Sequence, residues 1–355
     1  MNKVISVLPG DGIGPEIIAQ AVRVLKSIEK KFQHSFEFNY GLVGAAAIDA
    51  TGDPYPEETH QLCLNSDAIL FGAIGDPKYD NDPLAKVRPE QGLLRMRKRL
   101  GLFANLRPIQ VMPSLIDASP LKPERIKDVD FVVVRELTGG IYFGDKGRNE
   151  AGDQAYDVCS YSKEEVDRIL RISFDLARNR GNKLTVVDKA NVLETSRLWR
   201  ECAQKMHKQE YADVRIEFLF VDNAAMQMIT RPSDFDVIVT ENMFGDILTD
   251  EASVITGSLG LLPSASIGAG VGLYEPIHGS YPQAAGKNIA NPIATILSAA
   301  MLLESSFGMK AEAQCIRAAC QDSIAAGIVT EDIANGAKAY STVAVGEWVC
   351  KRMEA

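Results

Sequence analysis

Along most of the chain, short runs of β-branched and other apolar residues alternate with longer segments of helical period, and this alternation limits the fold more than any other feature. Residues 4–8, 68–71, 131–134, 184–187, 218–221 and 237–240 read as strands. Residues 15–31 read as a helix with Pro15 just inside its start, and residues 164–179 as another led by Ser162 as N-cap. Such a pattern predicts an α/β protein with a largely parallel sheet. The 355 residues divide into two or three domains at roughly 150 residues each. Residues 136–160, rich in Gly, Asp and aromatics without helical period, predict hairpins or an extended arm suited to a partner subunit. Residues 257–286 are rich in Gly, Pro and Ser and read as a long functional loop, after which Ala-rich helices run to the end.

Charge and cysteine usage narrow the partners. With 38 Lys and Arg against 47 Asp and Glu, the net charge of −9 lacks the basic footprint that nucleic acids and anionic membrane surfaces require. An anionic ligand must therefore be attracted by local arginines. The six cysteines form neither CxxC nor a zinc-finger spacing, which predicts reduced thiols in a cytoplasmic protein. The N-terminal apolar run is too short for a signal sequence, and no stretch nears the roughly 18 apolar residues of a membrane span.

Four constellations carry chemistry. Gly10-Asp11-Gly12-Ile13-Gly14 follows a strand and opens a helix, but it spells GxGxG before Pro15 rather than GxGxxG, so a tight turn is favoured over a pyrophosphate site. Arg107, in ANLRP, and Arg135, directly after four apolar residues, are suited to bidentate capture of carboxylate or phosphate, whereas Arg95 and Arg99 fit a solvated helix face. Asp246 and Asp250 stand four apart in FGDILTDEAS just after a strand, and Asp222 ends another. Three carboxylates at strand ends suit an oxygen-only site for Mg²⁺ or Mn²⁺, with solvated acidic surface as the alternative. Lys189 lies just past a buried strand, where a nearby cation would drive a lysine toward the neutral form that a general base needs; a surface role is equally open. Tyr142 is a proton donor or core filler, and His278, in a Gly/Pro-rich loop, suits ring stacking or hydrogen bonding.

Taken together, nine segments resemble the β-decarboxylating (isocitrate/isopropylmalate) dehydrogenases: LPGDGIGPE at 8–16, GDPKYDNDP at 75–83, RPEQGLLRMRK at 88–98, LFANLRP at 102–108, RELTGGIYFG at 135–144, VDKANVLE at 187–194, VDNAAM at 221–226, TENMFGDILTDEAS at 240–253, and EPIHGS from 275 with NIANP from 288. They cover nearly the whole chain in order. The resemblance implies a two-domain α/β fold with a mixed sheet that is not Rossmann. Residues 1–103 with 257–355 would form the cofactor-binding domain, and 104–256 the dimerisation and substrate–metal domain with its arm.

Residue by residue, the resemblance implies that Arg97, Arg107 and Arg135 clamp the malate carboxylates. It makes Asp222, Asp246 and Asp250 the Mg²⁺ or Mn²⁺ ligands, with Asp222 and Lys189 presented across a homodimer interface. Lys189 would take the 2-hydroxyl proton as hydride passes to NAD, and Tyr142 would protonate the enolate left by decarboxylation, while the cation acts on the oxygen that gains charge at both steps. His278, Gly279 and Asn291 would hold the adenosine half of NAD, and Glu90 would lie near the nicotinamide ribose. Gln283 stands where NAD-using relatives usually carry an acidic residue, and lacks the charge that repels a 2′-phosphate. Leu93, Leu94 and Val192 offer only hydrocarbon to the substrate side chain. Burying an isopropyl group there gives roughly 2–3 kcal/mol, while an unpaired carboxylate would cost several. The expected substrate is thus 3-isopropylmalate rather than isocitrate; tartrate and D-malate enzymes of the same family are less well separated. An anion-binding protein without redox chemistry would explain the arginines and carboxylates, but not Lys189 and Tyr142 with the long loop.

Overall fold

The computed structural model describes residues 1–81 and 86–354; the motif at 75–83 runs into residues 82 and 83, which lie outside the described residues. Twelve strands form among the described residues: β1 (Asn2–Gly10), β2 (Ser35–Tyr40), β3 (Ala68–Ala73), β4 (Leu102–Gln110), β5 (Asp130–Glu136), β6 (Lys146–Arg148), β7 (Ala155–Asp157), β8 (Lys183–Asp188), β9 (Arg215–Phe220), β10 (Val237–Thr240), β11 (Pro263–Gly268) and β12 (Gly272–Pro276). The chain divides into two units, Met1–Leu102 with Gly257–Ala355, and Phe103–Thr256.

In the first unit the strands run in the order β2-β1-β3-β12-β11, parallel except for the β11–β12 pair. Helices Gly14–Phe32, Ile293–Phe307, Lys310–Ala325 and Thr342–Glu354 pack against one another. Ile293–Phe307 is buried nearly all round, as its apolar sequence requires. A separate core cluster gathers Leu8, Ile69, Phe71 and Leu273 from the strands with Tyr55, Cys63, Met96 and Leu100. Each such side chain contributes roughly 1.5–3 kcal/mol through burial. The GxGxG segment is a turn and a strut. Gly12 has φ +57 with the Ser280 carbonyl where a Cβ would stand, so only glycine fits. The Asp11 carboxylate accepts from the backbone N–H groups of Ala45, Ala46 and Gly75, tying three loops together.

In the second unit the order is β4-β5-β10-β8-β9, with β4 antiparallel to β5 and the rest parallel. β5, β8 and β10 are almost wholly buried, which is why they read from the sequence as continuous apolar runs. Their C-terminal ends deliver Arg135, Lys189 and the helix Asn242–Ser253, placing chemistry where parallel strands generally hold it.

Two sequence expectations change. The 257–286 segment is not one loop: β11 and β12 pair antiparallel within it. Strand 218–221 stops at Phe220, so Asp222 lies in the first turn of helix Val221–Thr230 rather than at a strand end. Within 136–160 the expected hairpin is present as the short antiparallel pair β6–β7, preceded by a 3₁₀ turn, Gly140–Tyr142.

Candidate active site

The densest functional cluster lies in the second unit. Asn105 and Arg107 share one face of β4 by their i, i+2 spacing, and Asn105 pairs directly with Arg135 of β5. Arg107 and Arg135 are 7% and 4% exposed, so their guanidinium groups cannot be solvated surface charges. Arg107 donates from Nε to Asn105 Oδ1 (2.6 Å) and from Nη1 to Thr249 Oγ1. Arg135 donates from Nε and Nη2 to Asn242 Oδ1 (3.0 and 2.9 Å) and from Nη1 to Asp246 Oδ1. The other Asp246 oxygen accepts from the Tyr142 hydroxyl at 2.9 Å. Arg107 also lies 3.8 Å from Asp246 Oδ1 and 3.9 Å from Asp250 Oδ1.

The charge state of this cluster follows from its neighbours. Burial raises the Asp250 carboxyl pKa; the nearby Asp246 charge raises it further, and Arg107 opposes both. A cation between the two carboxylates would relieve that repulsion, and two oxygen donors one helical turn apart match what a hard divalent ion takes. Burial, followed by the adjacent Asp246 charge, pushes the Tyr142 phenol up to about 12. It therefore holds its proton at neutral pH, as a proton donor must.

Lys189 and Asp222 form a separate pair. Lys189 Nζ donates to Asp222 Oδ1 at 2.6 Å, and that bond lowers the Asp222 carboxyl pKa. Lys189 is set by its own backbone N–H to Ser196 Oγ (3.0 Å), and the preceding Asp188 is buried against Arg200 through two 2.8 Å bonds. Among the described residues no three metal-ligating side chains meet. A single chain thus supplies Asp246 and Asp250 together and Asp222 apart from them. Val192 nearby is exposed.

In the first unit, Arg97 is 8% exposed and donates from Nη2 to Glu275 Oε1 at 2.8 Å, an oxygen that also accepts from Ser266 Oγ. Its Nε is sealed with no hydrogen-bond partner, an unsatisfied donor next to a buried charge. Leu93 packs against the core cluster and Leu94 is half-buried. Glu90 is exposed, with Oε1 beside the place that a Cβ on Gly75 would take. His278 Nδ1 lies 3.0 Å from the Gly279 carbonyl, while Nε2 is sealed without a partner; burial lowers the imidazole pKa, so the ring is neutral at pH 7. Gln283 is exposed on the turn Pro282–Ala284 and Gly279 lies open. Asn291 is buried, its amide donating to Asp332 and accepting from the Ile293 N–H, so its side chain also has a structural task. The Glu16 carboxylate anchors the Gln283 loop by accepting from the backbone N–H groups of Gly286 and Asn288. Gly279, with nothing near the place of a Cβ, leaves room for a close approach beside His278.

Sequence reasoning missed Asn105, Thr249, Asn242, Glu275 and Glu16. The first three had a signal: Asn105 stands two before Arg107 on a strand, and Asn242, Asp246, Thr249 and Asp250 follow i, i+4, i+7, i+8, which is one helix face.

A family model described as isocitrate/isopropylmalate dehydrogenase matches residues 4–349. The 3-isopropylmalate dehydrogenase of Bacteroides fragilis (strain YCH46) is 56% identical over 350 residues, covering 98% of this chain and 98% of its own. That of Bacillus subtilis (strain 168) is 56% identical over 354 residues, covering 98% and 96%. Among solved structures, isocitrate dehydrogenase from Methylococcus capsulatus superposes with a TM-score of 0.89 at 33% identity, covering 99% of this chain and 100% of that one. A β-decarboxylating dehydrogenase from Thermococcus kodakarensis in its apo form gives 0.81 at 36% identity, covering 99% and 96%.

Proposed function

The chain belongs to the isocitrate/isopropylmalate dehydrogenase family, and from that premise and the site's geometry we propose that it catalyses the NAD-dependent oxidative decarboxylation of (2R,3S)-3-isopropylmalate to 4-methyl-2-oxopentanoate, in leucine biosynthesis. As a dehydrogenase of this family it works on a small molecule with a nucleotide cofactor and a divalent metal ion. We assign these as NAD and as Mg²⁺ or Mn²⁺. The observation that carries the reading is the grouping of two buried arginines, a protonated phenol and two carboxylates around Asp246.

Arg107 and Arg135, whose guanidinium planes are oriented by side-chain acceptors, bind the malate carboxylates together with Arg97. Asp246 and Asp250, with Asp222 from a second copy of the chain, hold the divalent ion. When bound, that ion stabilises the negative charge that develops on the substrate's 2-oxygen. Lys189, also from the second copy, removes the 2-hydroxyl proton. Its Nζ donates to Asp222 here; with that carboxylate engaged by a divalent ion, the lysine would lose the partner that favours its charged form, and after giving one proton to water its neutral amine could accept the 2-hydroxyl proton. Tyr142 donates its proton to the carbon that loses CO₂. Arg97, Arg107 and Arg135 hold the substrate in one orientation throughout, a contribution that depends on their burial.

His278, Gly279, Gln283 and Asn291 bind the adenosine half of NAD, and Glu90 the nicotinamide ribose. Leu93, Leu94 and Val192 receive the isopropyl group. A homodimer is supported by the exposed apolar side chains Val192, Leu193, Met226, Ile247 and Val254 of the second unit, which gain by coverage. All six cysteines are free, the state that a reducing cytoplasm maintains, and we place the enzyme there. No helix among the described residues is long and apolar enough to cross a membrane. The test is stoichiometry: one NADH and one CO₂ per isopropylmalate consumed with Mg²⁺ present. NADH without CO₂ would reject the decarboxylating step.

A further inference from the structure

The side chain that does most to shape the arginine cluster is one that no step of the proposed reaction uses. Asn242 is 1% exposed and bonds in three directions. Its Oδ1 accepts from both Nε and Nη2 of Arg135, at 3.0 and 2.9 Å. Its Nδ2 donates to the Gly139 carbonyl at 3.3 Å, three residues before Tyr142. Its backbone N–H donates to the Tyr161 hydroxyl at 3.0 Å, and that hydroxyl donates to Glu241 Oε2 at 3.2 Å. Glu241 is the N-cap of the helix that carries Asp246 and Asp250, accepting from the Phe244 N–H at 2.8 Å. The Tyr161 ring is fixed in turn, edge-on to Trp199 with centroids 5.5 Å apart, and lies so close beneath Gly139 and Gly140 that a Cβ on either would clash with it.

We propose that Asn242 is a positioning residue, which fixes the plane of the Arg135 guanidinium and the Tyr142 segment against the carboxylate face of its own helix. The inference rests on the reading of Arg135 as a substrate-carboxylate ligand. Its physical basis is geometric and electrostatic. A single carbonyl oxygen shared by Nε and Nη2 sets the orientation of the guanidinium plane, which bidentate recognition of a carboxylate needs. The acceptor is neutral, so it orients the cation without cancelling its charge. Asp246 already bonds Nη1. A second carboxylate at position 242 would leave the arginine with two anionic neighbours and little attraction for a third.

Asn242→Asp separates these effects, because it keeps the size and the acceptor while adding charge and removing the donor to Gly139. With Mg²⁺ and saturating NAD, the KM for isopropylmalate should rise about tenfold or more, as expected for weakening a bond to a charged group, while the KM for NAD stays within about twofold. Asn242→Ser, whose hydroxyl is too short to bridge both nitrogens, should raise the isopropylmalate KM by a smaller factor and lower kcat. If Asn242→Asp fails to fold, the serine variant decides by the same criterion. An isopropylmalate KM within about twofold of the parent, or both KM values rising together with a lowered thermal midpoint, would overturn the positioning role. A parent enzyme inert toward isopropylmalate would overturn the substrate reading itself, and this inference with it.

Discussion

Removing the Glu16 carboxylate should loosen the nucleotide loop without touching the chemistry. Glu16 accepts from the backbone N–H of Gly286 and, at 3.0 Å, from that of Asn288, so one side chain in the first helical turn fastens the loop that carries Gln283. The far end has a second fastening: the Asn288 carbonyl accepts from the Thr342 N–H and its side-chain oxygen from the Val343 N–H, both at 3.0 Å. Glu16→Ala therefore frees the Gln283 side of the loop only. Bonds to a charged acceptor are each worth about 1.5–3 kcal/mol when buried. Gly286 is exposed, so water replaces the acceptor there at little cost, while the Asn288 N–H is half-buried and is left short of a partner. The net expectation is about 1.4 kcal/mol, which is tenfold in the ratio of fastened to loosened loop and sets about tenfold as the ceiling on the rise in the KM for NAD, reached as the loosened form comes to dominate. Glu16→Gln retains one acceptor and should give about threefold by the same arithmetic. The isopropylmalate KM should not move. Steady-state kinetics with both substrates, and amide exchange at Gly286 and Asn288, provide the assay. An NAD KM within about twofold in both variants, with unchanged exchange at those amides, would refute the anchoring argument.

Lys189→Met should lower kcat by about 10²–10⁴, the worth of a general base, while calorimetric binding of Mg²⁺ and isopropylmalate persists; retained turnover would remove Lys189 from the mechanism. Because the Tyr142 phenol is held near about 12, the protonated form that donates persists through the neutral and moderately alkaline range. Any alkaline fall in rate should therefore keep its midpoint in Tyr142→Phe, with kcat lower throughout; a midpoint that vanishes in the variant would contradict this. Gln283→Asp adds the negative charge that repels a 2′-phosphate and should widen the NAD/NADP ratio of kcat/KM severalfold, about 1 kcal/mol for an exposed charge pair. An unchanged ratio would take residue 283 out of cofactor choice.

What the sequence shows and what it hides differ by physical cause. β5, β8 and β10 are buried on both faces and read as apolar runs, so they were legible. β2 is an edge strand with most side chains wholly or partly exposed, and SFEFNY gives little apolar signal. β4 holds Arg107 and Pro108, which break a strand pattern; Arg107 is tolerated because it finds acceptors in Asn105 and Thr249. β11 (PSASIG) is mostly small residues with Gly and Pro, and β12 (GLYEP) is five residues bounded by Gly and Pro, so their pairing rather than their composition distinguishes them from a loop. Asp222 was misplaced because Val221 extends the apolar run of FLFV into what is the first helical residue. The arginines and carboxylates stood out as charges next to apolar strands. Asn242 and Glu16 did not, because their importance lies in which backbone and guanidinium groups the fold brings to them.

The most direct measurement is absorbance at the reduced-nicotinamide band with Mg²⁺ and NAD, run in parallel with isopropylmalate, D-malate, tartrate and isocitrate. Rapid reduction is expected with isopropylmalate, little or none with the other three acids, and loss of the signal on chelation. Comparable rates with D-malate or tartrate would contradict the role assigned to Leu93, Leu94 and Val192, and no reduction with any acid would contradict the dehydrogenase reading of the arginine and carboxylate cluster.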